Sequence, residues 1–156
     1  MSVSTLLTPN SLNLYCSSLR LPLGNFQPSM SAGGTEILLN PNTSTCKYQV
    51  IGDFCFMSMR LRPTDKNGAS GELRVALPVP PASDRINETY VLNSAQNYIT
   101  TDGRKLNGYI QSGVDYAVFL YQDTAFESRT LQVSDMVDPP ANINNTVLEL
   151  TGFYRI

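Results

Sequence analysis

The segment FCFMSMRLR, residues 54–62, decides the fold class of this 156-residue chain. Apolar and polar side chains alternate along it, so that one face holds Cys55, Met57, Met59 and Leu61, and the other holds Ser58, Arg60 and Arg62. Successive side chains of a β-strand point to opposite sides of the sheet. A period of two therefore predicts a strand with one buried and one exposed face.

Strand-like segments recur along the whole chain, with Gly, Pro, Asn and Asp between them. The sequence predicts them at residues 12–21, 36–39, 46–50, 73–77, 89–101, 106–111, 114–121, 131–133 and 146–156. Many short strands joined by turns are typical of β-sandwiches and jelly rolls. We therefore predict an all-β fold, with a single β-sandwich or jelly-roll-like domain.

The first 45 residues are interrupted every few positions by proline or glycine, at Pro9, Pro22, Gly24, Pro28, Gly33 and Gly34. Only short strands fit between such residues. We predict an extended N-terminal arm over residues 1–45 and the β-sandwich over residues 46–156. The arm would lie over its own domain or over a neighbouring subunit. The alternative is an ordinary edge of the same domain, and the sequence leaves both open.

Leucines are the best candidates for contact residues in this arm, namely Leu6, Leu7, Leu12, Leu14 and Leu19. Interfaces between subunits have apolar centres that are depleted in lysine and glutamate. The same leucines could equally fill the core of their own domain. The sequence does not choose between these two roles.

The composition excludes several classes of function. Charged residues make up 15% of the chain and the net charge is −2, which leaves no basic surface to attract nucleic acid. No segment approaches the roughly 20 apolar residues of a membrane helix, and the N-terminus lacks the features of a signal peptide. We therefore expect a product made in the cytoplasm of a cell, with neither nucleic acid nor membrane as a partner.

The residues needed for common active sites are scarce. Histidine is absent, which removes Ser/His/Asp and Cys/His nucleophiles and most zinc sites. Six carboxylates crowd the second half of the chain in turn-like positions, at Asp102, Asp115, Asp123, Glu127, Asp135 and Asp138. A glycoside hydrolase needs two such acids, but tryptophan for sugar stacking is also absent. We expect no enzyme, no cofactor and no metal.

The three cysteines, Cys16, Cys46 and Cys55, form no CxxC pair. Buried free thiols are the expected state in a reducing compartment. A disulfide joining Cys46 to either of the other two stays open, because spacing alone does not decide it.

Several short motifs resemble the β-domains of tailed-phage structural proteins. They are the run YQVIGDFCF at residues 48–56, the Leu-Pro step at Leu77 and Pro78, the glycine-containing hairpin at residues 108–121, and the ending LTGFY at residues 150–154. The resemblance implies a virion protein of the kind found in head fibres, capsid decoration (cement) proteins and tail-fibre tips. These domains are commonly trimeric β-sandwich or jelly-roll knobs.

Two functions follow from this resemblance. The first is a capsid decoration protein on the virion surface, a homotrimer that binds the major capsid protein and stabilises the assembled shell. The alternative is a tail- or head-fibre knob that recognises a glycan or receptor on the host surface through loops such as residues 65–70 and 82–88.

Overall fold

The computed structural model describes residues 23–83, 89–97, 106–111, 113–122, 127–136 and 146–156. They form twelve β-strands: β1 (Gly24–Phe26), β2 (Met30–Ala32), β3 (Thr35–Leu39), β4 (Thr45–Ile51), β5 (Phe54–Leu61), β6 (Pro63–Asp65), β7 (Leu73–Ala76), β8 (Thr89–Asn97), β9 (Leu106–Gln111), β10 (Tyr116–Gln122), β11 (Ser128–Thr130) and β12 (Val147–Arg155). All paired strands are antiparallel. The predicted all-β single domain is confirmed.

The strands follow one another in a single path, β1-β4-β5-β12-β8-β9-β10-β7-β2-β3-β6, with β11 beside β10. Strands β5 and β6 lie toward opposite ends of this path, yet only Arg62 separates them in the chain. In a flat sheet, the intervening steps of about 4.8 Å each would place them almost 40 Å apart, whereas the two residue steps from Leu61 to Pro63 span about 7 Å. The sheet must therefore curl until β6 meets the end of β5.

The two ends meet at a corner where two chain segments cross. The backbone N–H of Asn40, after β3, donates to the carbonyl of Arg62 at 2.8 Å. The N–H of Arg62 in turn donates to the side-chain oxygen of Ser44 at 3.0 Å, and Ser44 is almost fully buried. At this corner the chain passes from β3 to β4 and from β5 to β6. The β3–β6 pair and the β4–β5 pair are therefore joined there by both chain segments.

The inner face of the curled sheet forms one hydrophobic core. The predicted inward face of β5 is confirmed, since Cys55, Met57, Met59 and Leu61 are all buried. Other strands add residues that include Met30, Leu73, Val75, Ile110, Phe119 and Leu150. Each fully buried aliphatic or aromatic side chain contributes about 1.5–3 kcal/mol of favourable transfer free energy.

Tyr154 of β12 ties two distant parts of this fold together. Its side chain is fully buried, and its hydroxyl donates to the carbonyl of Val79 at 2.6 Å. The same hydroxyl accepts from the N–H of Val79 at 3.3 Å. Because Val79 follows β7, this tyrosine holds the loop after β7 against β12.

Glycine allows close packing where β8, β9 and β12 lie side by side. A Cβ atom at Gly152 would lie 2.6 Å from Cδ2 of Leu92, and one at Gly108 would overlap the side chain of Leu150. Overpacking of this kind typically costs about 1–3 kcal/mol. These two positions therefore need glycine for space, whatever their backbone angles.

Part of the predicted N-terminal arm lies within the described residues. Strand β2 sits between β7 and β3, and its residues Met30 and Ala32 are buried in the core. Residues 23–45 thus form short strands of the same sheet. Residues 1–22, and with them Leu6, Leu7, Leu12, Leu14 and Leu19, lie outside the described residues, and their contact role stays a prediction.

The strand predicted at residues 131–133 is only partly formed. Strand β11 ends at Thr130, Gln132 makes an isolated antiparallel bridge with Glu72, and Val133–Asp135 form a 3-10 turn. The carboxylate of Asp135 accepts a hydrogen bond from the N–H of Gln132 at 2.8 Å. This local side-chain contact satisfies a backbone donor that a strand would have paired with a neighbour.

Replacement of Ser44 by alanine tests the corner. We expect Ser44→Ala to lower the free energy of unfolding by about 1–3 kcal/mol, because the N–H of Arg62 then has no partner. Urea unfolding followed by circular dichroism measures this change. Ser58→Ala, at an exposed position of β5, is the matched control and should change stability by less than about 0.5 kcal/mol. Equal stability of the two variants would contradict the role of Ser44.

Candidate functional site

Three phenylalanines lie together on the outer face of the sheet. Since Cys55 and Met57 point into the core, Phe54 and Phe56 must point outward. Phe56 stands directly opposite Phe153 of β12, with ring centroids 5.4 Å apart. The ring of Phe54 meets that of Phe153 edge to face at 6.0 Å. We call these three residues the phenylalanine cluster.

The cluster is exposed although it is strongly apolar. Phe54, Phe56 and Phe153 are 40%, 41% and 53% exposed. Farther along the same two strands the surface becomes charged, where Arg60 pairs with Glu149 at 3.4 Å. Contiguous apolar surface with a polar rim is typical of contacts between proteins. The cluster is therefore a candidate assembly surface.

A second feature, the tyrosine groove, lies on the outer face of β9 and β10. Tyr109 of β9 stands opposite Val118 of β10, and Thr130 of β11 stands opposite Leu120. Alternation along β10 places Tyr116 on the same face as these two apolar residues, because the residues between them are buried. Together these side chains line a groove of about 480 Å³.

Polar groups surround the apolar part of the groove, contributed by Glu72, Gln111, Ser128 and Thr130. The guanidinium of Arg74 lies over the ring of Tyr116, 4.5 Å from its centroid. The Nε of Arg74 also donates to Glu72 at 3.1 Å. This chain of contacts holds the Tyr116 ring in place. Among the nine described lining residues there is no lysine or arginine, and Glu72 is the one carboxylate.

The buried thiols are unsuited to nucleophilic chemistry. Cys46 and Cys55 are free and buried. Burial raises the pKa of Cys46 from 9.0 to about 12, and the neighbouring Cys55 adds to this rise. Burial also raises the pKa of Cys55, while a hydrogen bond with Tyr154 opposes the change. Both thiols are therefore protonated at neutral pH, whereas the thiolate is the reactive form. Cys16 lies outside the described residues.

The raised pKa of Cys46 predicts a loss of stability in alkali. Below pH 9 the thiol is protonated in both states, so its contribution is intact. Between pH 9 and about 12 it ionises only in the unfolded state, and that state gains about 1.36 kcal/mol per pH unit. From pH 8 to about pH 10.5, we expect Cys46→Ala to lose about 2 kcal/mol less stability than the unchanged protein.

Urea unfolding at both pH values measures this difference. Cys55 and Tyr154, whose pKa values burial also raises, stay in both proteins, so the loss of stability that burial of these two groups causes is common to both. Equal losses of stability in the two proteins would contradict the assignment to Cys46.

Two of the predicted acidic residues, Glu127 and Asp135, make contacts within the fold. The carboxylate of Asp135 caps the 3-10 turn, and Glu127 lies 3.9 Å from Arg129 on the surface. Asp102, Asp123 and Asp138 lie outside the described residues. Within the described ranges, no three His, Cys, Asp or Glu side chains come together as a metal site.

The described part of the chain also contains no helix with the length and hydropathy that a bilayer-spanning segment requires.

Sequence reasoning missed the residues of both outer surfaces. The alternation of residues 54–62 contained the information for Phe54 and Phe56, which occupy the outward positions of that strand. Phe153 gave no such indication, because its place opposite Phe56 depends on the pairing of β12 with β5. Tyr109 and Tyr116 likewise come together only through the register of β9 and β10.

Comparison with known proteins gives one informative match. Neither a described protein family nor a curated protein matches the sequence. Among solved structures, the crystal structure of the Dettilon tailspike protein (gp208) matches with a TM-score of 0.65 and 18% sequence identity. The match covers 86% of this chain and 23% of the tailspike chain. This likeness shows the fold. The chain spans about a quarter of its structural neighbour.

Proposed function

We propose that this chain is a structural domain of a tailed-phage particle, that it belongs to a tail spike or fibre, and that it contributes to contact with the host surface. The observation that supports the proposal is the shared fold with a tailspike protein over 86% of the chain. The sequence motifs that resemble tailed-phage virion β-domains support the same kind of particle.

The two outer surfaces fit this role in different ways. The phenylalanine cluster would join the domain to neighbouring subunits, because exposed aromatic side chains become favourable only when a partner covers them. We propose a homotrimer as the assembly in which this occurs, because the resemblance to tailed-phage virion β-domains implies it, and a trimer is one of the closed cyclic symmetries of homo-oligomers. The tyrosine groove would remain accessible for the host surface.

Capsid decoration is the second candidate. A protein that clamps the shell needs an adhesive apolar surface, and the phenylalanine cluster would serve on the major capsid protein as well as on another copy of this chain. Binding only to the assembled shell would stabilise it by mass action. The location of the chain on the particle separates the two candidates.

We further propose that the domain acts by binding and not by catalysis. The chain has no histidine, and the two described cysteines are buried and protonated at neutral pH. Two of the described acidic residues take part in a turn and in a surface ion pair. These features offer no activated nucleophile among the described residues.

Quantitative mass spectrometry of purified virions tests the location. For a tail position we expect far fewer copies of this chain than of the major capsid protein, because each particle has one tail. Electron microscopy of virions labelled with an antibody against this chain is the second readout, and we expect the label on the tail. Copy numbers comparable to the major capsid protein, with label over the head, would favour decoration. Absence from the virion would contradict both.

Replacement of Phe153 by serine tests the assembly surface. We expect Phe153→Ser to raise the dissociation constant of the oligomer by about tenfold or more, while loss of its two ring contacts should lower the stability of the fold by about 1–2 kcal/mol. Analytical ultracentrifugation over a concentration series measures the change. The control Leu38→Ser removes an apolar side chain that is 44% exposed in β3, on a different strand. An unchanged oligomer in Phe153→Ser would contradict the assignment of the cluster.

A further inference from the structure

We propose that the N-terminal segment of the same chain, residues 1–22, lies across the phenylalanine cluster and covers it until a neighbouring subunit takes its place. The inference rests on the assembly role proposed for the cluster, and it names what occupies that surface in the free chain. Three observations carry it: a groove beside the cluster, the point at which the described chain enters that groove, and the sequence of the segment.

The groove connects the phenylalanine cluster to the edge of the sheet. It has a volume of about 340 Å³, and its lining includes Phe56 and Phe153 of the cluster together with Leu23 and Tyr48. Leu23 is 62% exposed. Contiguous exposed apolar surface of this kind marks a binding site. We call this feature the edge groove.

Strand pairing shows how short the path along the edge groove is. Gln49 of β4 pairs with Phe56 of β5, which pairs with Phe153 of β12. Leu23 lies directly before β1, and the register of β1 on β4 brings it beside Gln49. Three steps between strands, of about 4.8 Å each, make about 14 Å from β1 to β12. Because an extended residue spans about 3.5 Å, the last five residues of the segment are long enough to cross to the cluster.

The described chain starts inside the edge groove. Leu23 lines the groove and is also the residue to which the segment is joined. Gly24 lets the backbone pass close to Tyr48 at this point, since a Cβ atom there would overlap the tyrosine ring. A tethered group acts at a local concentration in the millimolar range. The segment of the same chain is therefore favoured over a second copy as the occupant.

The sequence of the segment matches an apolar surface. Leu19 and Leu21 alternate with Arg20 and Pro22, and Leu23 continues the series of leucines. In an extended chain these three leucines share one face. Arg20 is the one charged residue of the segment and alternates away from that face. The leucine face can therefore cover aromatic rings without the cost of burying a charge.

Pro22 favours a path across the sheet over a longer edge strand. Proline has no N–H to donate to a strand ladder, and β1 begins only at Gly24. Proline also favours an extended conformation for the residue before it, which is Leu21. An extended segment that leaves the ladder at this point can place its leucines on the outer face of the sheet.

Coverage of the cluster by the segment would control how readily subunits associate. A neighbour that needs the cluster binds only the fraction of chains in which the segment has left it. The segment is then an intramolecular competitor of the subunit contact. Loss of its leucine face should make the association of subunits tighter.

Photo-crosslinking of the full chain tests the contact directly. Phe153→p-benzoylphenylalanine places a photoreactive ring in the cluster, and Leu38→p-benzoylphenylalanine places the same group at a 44% exposed site of β3 as the control. Isotopically light and heavy chains are mixed before irradiation, and mass spectrometry identifies the joined peptides. We expect position 153 to crosslink to residues 12–22 of the same chain, in pairs of one isotope, and position 38 not to do so.

The same experiment can overturn the inference in two ways. Pairs that combine light and heavy peptides would show the segment of a neighbouring copy on the cluster. Absence of crosslinks from position 153 to residues 12–22 would show that the segment does not lie there at all.

Analytical ultracentrifugation over a concentration series tests the competition. Leu19→Asp places a charge on the leucine face, so the segment should leave the cluster and the dissociation constant of the oligomer should fall by about tenfold. Ser18→Asp adds the same charge at the neighbouring position, on the other side of an extended segment, and should leave the constant within about twofold. Weaker association of Leu19→Asp than of the unchanged chain would contradict competition.

The variant Phe153→Ser separates this inference from the proposed function. Tighter association of Leu19→Asp, together with weaker association of Phe153→Ser, supports both. Equal association of Leu19→Asp, Ser18→Asp and the unchanged chain, with weaker association of Phe153→Ser, supports the assembly surface and overturns the inference. Crosslinks within one chain, with no association of Leu19→Asp at any concentration, support the segment as the occupant and contradict the cluster as an assembly surface.

Discussion

The short connection between β5 and β6 is the constraint on which the rest of the structure depends. Arg62 alone joins two strands that lie toward opposite ends of the sheet path, so the sheet has to curl and enclose its inner face. The hydrogen bonds from Asn40 to Arg62 and from Arg62 to Ser44 fix the corner at which this happens. The buried apolar residues described on the inner face then form one core.

Closure also determines what the outer face can do. The inner positions of β5, β9, β10 and β12 are occupied by core residues, so the alternate positions of the same strands are free to vary with function. On β5 and β12 these positions carry phenylalanine, and on β9 and β10 they carry tyrosine with aliphatic residues. One sheet thus presents an exposed aromatic surface at β5 and β12 and a groove of mixed polar and apolar lining at β9 and β10.

The rigidity of this platform has its own local causes. Gly108 and Gly152 let Leu150 and Leu92 fill the space between neighbouring strands, and the hydroxyl of Tyr154 satisfies both backbone groups of Val79 inside the fold. A binding surface built on strands that are paired on both sides changes little when a ligand arrives, which reduces the entropic cost of binding. The cysteines contribute as small buried side chains and not as reactive groups.

The sequence alone determined the strand class and the inner face. The alternation from Phe54 to Leu61 specified which side chains are buried, because the side-chain period of a strand is a local property of the backbone. The same alternation also predicts that Phe54 and Phe56 point outward. The predicted hairpin at residues 108–121 likewise made β9 and β10 neighbours, and their register brings Tyr109 and Tyr116 to one groove. For strands distant in sequence, only the tertiary structure decided which became neighbours, and so Phe153 meets Phe56. Local pattern does not encode that long-range pairing, because it arises when the sheet curls around a shared core.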